Sequence, residues 1–239
     1  GDLLAGIGAQ TRQAMENIGA VLGAAGMDHR HLVKCHVYLA SMDDYVGMNE
    51  AYARFFSGRV PARTTVEAVG LPRDAAVEIG CIAHGDLAGI SVVDPPKGTL
   101  PTPLGPYSAG VWAGPTLYLS GMGGQFPEAR RLPEPLREQM AQALVNVKTT
   151  LTAAGLRPAD VVAGTTFFTG ASFAAESAAD YASMFDVPRP PRTTLVLPRL
   201  PGAIKTEVTF VAAQSALPRL EIRAGDDPDA LGVLAGDVL

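Results

Sequence analysis

Apolar residues recur at helical spacing in several stretches of this chain. Leu136, Met140, Leu144, Val147 and Leu151 stand three or four positions apart, which predicts a helix from about Glu134 to Ala154 with Gly155 as its C-terminal cap. Ahead of it, VWAG and TLYLSG (residues 111–121) alternate, are rich in β-formers and are separated at Gly114-Pro115, the pattern of a hairpin. Beyond it, DVVAGTTFFTG reads as a strand and Ala171 to Phe185 as a second helix. TTLVLP and KTEVTFVAA then read as two strands around the turn PRLPGA. The first half of the chain runs through the same order from its first helix onward: Ile7 to Ala25, LVKCHVYLA, Met42 to Phe56, TTVEAV and AAVEIGCIA. Each half is therefore expected to be an α+β domain of order ββ-α-β-α-ββ. Its mixed sheet would carry two helices on one face and leave the other face free for a partner.

The halves are copies. Residues 10–83 and 139–212 align without a gap at an offset of 129, with Asn17 on Asn146, Tyr52 on Tyr181, Arg63 on Arg192 (192 − 63) and Glu78 on Glu207 (207 − 78). A repeat this long is a duplicated domain rather than a solenoid unit of roughly 20 to 50 residues. The five prolines of DPPKGTLPTPLGP (residues 94–106) mark the linker. Copy one is placed at residues 1–94, copy two at 95–214, and a tail at 215–239. Copy one lacks an opening hairpin, whereas VLAGDVL in the tail matches VWAGPTL at an offset of 122 (235 − 113). A circular permutation, a window of a longer array and an altered chain order all account for this.

Composition narrows the function. With 239 residues and 47% hydrophobic content, the chain can bury two cores. A net charge of −5 with scattered Lys and Arg gives no basic stripe, so nucleic acid is not an expected partner. The sequence has no run of roughly 18 apolar residues and no charged-then-apolar leader, so a soluble, cytoplasmic protein without membrane contact is expected. Cys35 and Cys81 read as buried free thiols in a reducing compartment. His29, His31, His36 and His84 form no zinc-binding pattern, and no metal is expected. An arginine and a glutamate kept at one spacing in apolar strands are costly to place, so they are the first candidates for chemistry.

Several longer stretches carry a family likeness: PLGPYSAGVWAGPTLYLSG, EQMAQALVNVKTTLTAAGL, VKCHVYLASMDDYVGMNEAYARFF and PARTTVEAVGLPRDAAVEIGCIA. Together they resemble the RidA/YjgF family of reactive-intermediate deaminases, also called L-PSP endoribonucleases, as two tandem domains. The resemblance implies a chorismate-mutase-like fold, domains in threes around an axis, and sites in the clefts between them. Three two-domain chains, as two stacked rings of three domains each, would satisfy that arrangement. It further implies cofactor-free hydrolysis of 2-imino acids to 2-oxo acids and ammonia. By motif position, Arg63 and Arg192 would bind substrate and Glu78 and Glu207 would position water. Tyr107, Ser120 and Asn49 would complete the site.

The residue types suit that chemistry. A guanidinium matches the substrate carboxylate with paired donors, and a carboxylate can take a proton from water while Tyr107 or Ser120 donates to the departing nitrogen. Thr65 and Thr194 follow the arginines and could offer a backbone amide. One composite site is expected to join Asn49, Arg63 and Glu78 to Tyr107 and Ser120. A degenerate one would join Arg192, Thr194 and Glu207 to Asp229, whose charge would repel a carboxylate. Two rival readings are a non-catalytic 2-oxo acid binding or regulatory protein, and a specialised deaminase of a larger, aminomuconate-like or biosynthetic enamine. RNA cleavage, suggested by the older family name, does not fit an acidic chain without a His pair.

Overall fold

The computed structural model describes residues 3–187 and 189–214, together with the backbone of two strands at 219–222 and 232–235. Copy one comprises α1 (Ile7–Ala24), β1 (Leu32–Leu39), α2 (Tyr45–Ala53), β2 (Ala62–Glu67) and β3 (Val77–Ala83), followed by β4 (Ile90–Val93). Copy two comprises β5 (Gly110–Ala113), β6 (Thr116–Leu119), β7 (Met122–Gly123), α3 (Leu136–Ala153), β8 (Val161–Phe168), α4 (Phe173–Glu176), α5 (Ala178–Ala182), β9 (Arg192–Val196) and β10 (Thr206–Ala213). Strands β11 (Arg219–Ile222) and β12 (Gly232–Ala235) follow. This is the tandem α+β layout read from the sequence.

In copy one the strand order is β2-β1-β3, with β2 parallel and β3 antiparallel to β1. Copy two repeats it as β9-β8-β10 and continues through β6, β5 and β4, with β7 also beside β10. Met15 and Leu22 of α1 fill the first helix layer with Met48 and Tyr52 of α2. Met140, Leu144, Val147 and Leu151, the helical stripe seen in the sequence, fill the second with Phe168 and Phe210. Gly26 and Gly155, equivalent in the repeat, both take positive φ (72° and 74°) just past the long helices, the left-handed cap that glycine adopts without strain.

Three expectations change. Ala171–Phe185 is not one helix, because the chain breaks at Ser177, whose hydroxyl donates to the Phe173 carbonyl and competes with the helix ladder. Strand β4 lies on the copy-one side of the boundary drawn at residue 94, yet it is hydrogen-bonded to β5 in the sheet of copy two. Its register, Ile90 opposite Ala113 and Val93 opposite Gly110, recurs in β11 and β12, with Arg219 opposite Ala235 and Ile222 opposite Gly232. The repeat at offset 129 thus continues into β4 and β11 (219 − 90). Finally, Cys35 and Cys81 are not free thiols. They are directly opposite in β1 and β3 and form a disulfide, which removes the ground for expecting a reducing compartment.

The free faces of the two sheets pack against each other. Val33 and Ala62 of copy one meet Val111 and Ala113 of copy two, and Val66 meets Phe167, Leu200 and Ile204. Backbone bonds from Gly121 N to Arg63 O (3.0 Å) and from Glu67 N to Arg199 O (3.2 Å) stitch β2 onto copy two. Every residue of β2 is buried, whereas every residue of the matching β9 is exposed. No helix among the described residues is long and apolar enough to cross a membrane.

Candidate functional site

Arg63 is the second residue of β2 and only 2% exposed. Opposite Cys35 of β1, it shares the helix-side face, where α2 presents Tyr45, Met48, Asn49 and Tyr52 at helical spacing. Its Nη2 donates to Asn49 Oδ1 (2.7 Å) and Tyr45 Oη (3.3 Å), and its guanidinium carbon lies 5.0 Å from the Tyr52 ring and 5.4 Å from the Tyr107 ring. Among the described residues no carboxylate forms a salt bridge with it, and its Nε is buried with no hydrogen-bond partner. This is a guanidinium held rigid by aromatic faces and one amide, with donors left over.

The opposite wall comes from copy two. Arg63, Thr65 and Tyr45 line a cavity of about 40 Å³ with Tyr107, Gly121, Gln125 and Glu207. That is room for about three ordered waters. Glu207 is 6% exposed and its Oε1 has no partner; Thr65 Oγ1 is likewise buried and unpaired. Arg63, Thr65 and Glu207, which line this one small cavity, thus each carry a buried polar atom that no protein group satisfies, whereas buried polar groups are usually paired. Burial raises the Glu207 carboxyl to about 7, although Lys34 and Arg63 pull it down. Burial also pushes the Tyr107 phenol up to about 12, so it keeps its proton. Tyr107 Oη accepts from Leu104 N (3.2 Å), which leaves that proton to donate.

Two glycines make the geometry possible. A Cβ on Gly121 would overlap Glu207 Oε1, and a Cβ on Gly105, in the linker, would lie 2.6 Å from both Arg63 Nη2 and Asn49 Oδ1. The carboxylate therefore packs over one bare backbone, and the linker packs onto the Arg63–Asn49 pair with another.

The Endoribonuclease L-PSP family model matches this chain over residues 2–85 and 98–214. The chain belongs to that family. Among curated proteins, DfrA of Myxococcus xanthus is 47% identical over 75 residues, which cover 31% of this chain and 57% of that protein. The mouse 2-iminobutanoate/2-iminopropanoate deaminase is 42% identical over 78 residues, 33% of this chain and 58% of the deaminase. The chain thus spans somewhat more than half the length of the curated relatives it matches. The crystal structure of a candidate endoribonuclease from Thermotoga maritima superposes with a TM-score of 0.50 at 28% identity, covering 53% of this chain and 98% of that one. Imine deaminases are thus among the L-PSP relatives of this chain.

Within this L-PSP chain, the structure brings together Arg63, Asn49, Thr65, Tyr107 and Ser120, but not Glu78. Glu78 is exposed and opposite Tyr38, while Arg63 is opposite Cys35. Cys35 and Tyr38 are three apart on β1, so the arginine and the glutamate of one copy lie on opposite faces of their sheet, on either side of β1. They cannot meet. The arginine serves the cleft from the helix side, and the glutamate of the other copy reaches it from the free face. The expected pairing of Glu207 with Arg192 fails for the same reason. Arg192 is exposed and lies over Tyr181 at 4.3 Å, with Ala178 where Asn49 stands in copy one. Thr194 is exposed beside it, and Asp229 lies outside the described residues.

Ser120 is also not a free donor. Its hydroxyl donates to Ser108 O (2.6 Å) and accepts from Arg63 N (2.8 Å), so it clamps β2 to the loop carrying Tyr107. Sequence reasoning missed Tyr45, although its position four residues before Asn49 on a helix signals a shared face. It also missed Gln125, which follows the Gly-rich stretch after β6 and carries no pattern of its own.

Proposed function

We propose that this chain hydrolyses small 2-imino acids to 2-oxo acids and ammonia at the junction of its two copies. What supports this most is that Arg63, Thr65 and Glu207 line one cavity and each carries a buried polar atom without a protein partner. Arg63 anchors the carboxylate with the donors that Asn49 and Tyr45 leave over, and this orients the C=N group. Glu207 accepts a proton from water as the oxygen adds to the imine carbon, and Tyr107 donates to the nitrogen. As the tetrahedral adduct collapses, its hydroxyl proton passes to the nitrogen and the C–N bond breaks, releasing ammonia and leaving the 2-oxo acid; one water is consumed, and the proton on Glu207 restores the phenol. The small cavity suits a substrate of few atoms better than an aminomuconate-like enamine.

The reading extends to assembly. Copy two covers all of β2, and the equivalent β9 is bare, with Leu195 and Val196 42% and 52% exposed. A further copy of the chain, seated on β9 as copy two sits on β2, would bury that strand. This supports a homo-oligomer, with three chains as the simplest closed ring.

The test is a coupled assay in which a dehydratase generates 2-iminopropanoate and oxo-acid release is followed. Wild type accelerates release and Arg63→Ala returns it to the uncatalysed rate. Binding of a 2-oxo acid without any acceleration would instead make the chain a binding protein.

A further inference from the structure

Lys34, in β1, is 3% exposed and crosses the seam between the two sheets. Its Nζ donates to Thr64 Oγ1 of copy one (2.7 Å) and, in copy two, to Leu119 O (2.7 Å) and Thr209 Oγ1 (3.0 Å). All three ammonium hydrogens are matched by acceptors, an arrangement that favours the charged form. Thr209 stands two residues beyond Glu207 on β10, so both side chains leave the same face of that strand, toward Lys34. Thr64 is next to Arg63 on β2 and so points to the other face, the free face on which Lys34 lies. The cation is thus anchored to the strand that carries Glu207, on the face from which that side chain projects, and its charge acts on the carboxylate through space. At the positions equivalent in the repeat, copy two has Ala163 for Lys34 and copy one has Gly80 for Thr209. The device is built once per chain, across the seam.

We propose that Lys34 is a positioning residue that holds Glu207 in its ionised form, so that the carboxylate can accept a proton from water near neutral pH. The proposal rests on the deaminase reading for its meaning, but its geometry does not. The charged and titratable groups around Glu207 are Lys34 from β1, Arg63 from β2, Tyr45 from α2 and Tyr107 from the linker end. Around Lys34 they are Glu207, His36 from its own strand, and Tyr118 and Arg192 across a second cavity of about 390 Å³. Burial drives Lys34 down to about 7 and Glu207 up to about 7, and each draws the other back toward its charged form. Arg63 also favours the carboxylate, but a bound substrate acid neutralises it. Lys34 lies off the lining of the Glu207 cavity and shares its charge with no substrate, so it can act as counter-charge for as long as its three acceptors keep it protonated.

The experiment is an infrared titration of the Glu207 carboxyl band, assigned by its absence in Glu207→Gln, on the full chain without substrate. Lys34→Met is expected to raise the midpoint by about one pH unit or more, and to move the acid limb of the rate profile upward by the same amount. A merely structural role would lower stability and leave the midpoint in place. If Lys34→Met does not fold, Thr209→Val keeps the charge but removes one anchor, and a smaller upward shift is expected. An unchanged midpoint in the folded variant overturns the proposal. A wild type that titrates as described but turns over no imine overturns the deaminase reading alone.

Discussion

In the proposed reaction Glu207 accepts a proton while enclosed by protein, and a pH dependence of turnover follows from that reading. It must be ionised to act, and its carboxyl is raised to about 7, so kcat/KM should climb as pH rises through about 7 and level off above it. A profile already flat from pH 5 upward would show that another group limits the reaction. The two glutamates of the repeat should behave differently. Glu207→Gln should lower kcat by at least about 100-fold, whereas Glu78→Gln, exposed on β3, should leave it unchanged in the same assay. Equal losses would mean that the carboxylates share the work. The sequence made the residue types legible and not their partnership. Arg63, Asn49, Thr65 and Tyr107 could be found by motif because each belongs to a local stretch. Which glutamate faces which arginine depends on the parity of Cys35 and Tyr38 on the intervening strand, and that is fixed only when three strands are in register.

Among the elements, the long helices were the clearest, because Met140, Leu144, Val147 and Leu151 form a stripe that burial alone can satisfy. Strand β4 was not legible, since four residues between a glycine and an aspartate carry no periodicity long enough to read. The cysteines misled for a related reason. Cys35 and Cys81 are 46 positions apart, and only the antiparallel pairing of β1 with β3 sets them face to face. That cross-link closes a loop holding α2 and β2, so reduction should lower unfolding stability by about 2–4 kcal/mol. Urea denaturation with and without reductant would show it, and coincident curves would speak against the bond. At the linker, Gly105→Ala should push the arginine off its asparagine and cost on the order of 100-fold in kcat/KM, with the melting temperature little changed. Full activity in that variant would mean that the linker gives way instead.

For the whole molecule, the offset of 129 announced two domains, but not that one would lie over the other's second strand. The matching second strands of the two copies meet opposite fates, β2 covered along its length and β9 bare. If further chains cover β9, Leu195→Glu should shift the sedimentation coefficient from the assembled species toward the single chain, by placing a charge in an apolar contact. A wild type that sediments as one chain at all concentrations would remove that reading. The proline-rich connection between the copies has its own consequence. In most two-domain proteins such a tether is where one cuts, lengthens or tags at little cost. Here Leu104 lines the candidate cavity and Gly105 packs on the Arg63–Asn49 pair beside it, so an insertion made there for convenience would register as a leak in the chamber before it registered as a looser joint.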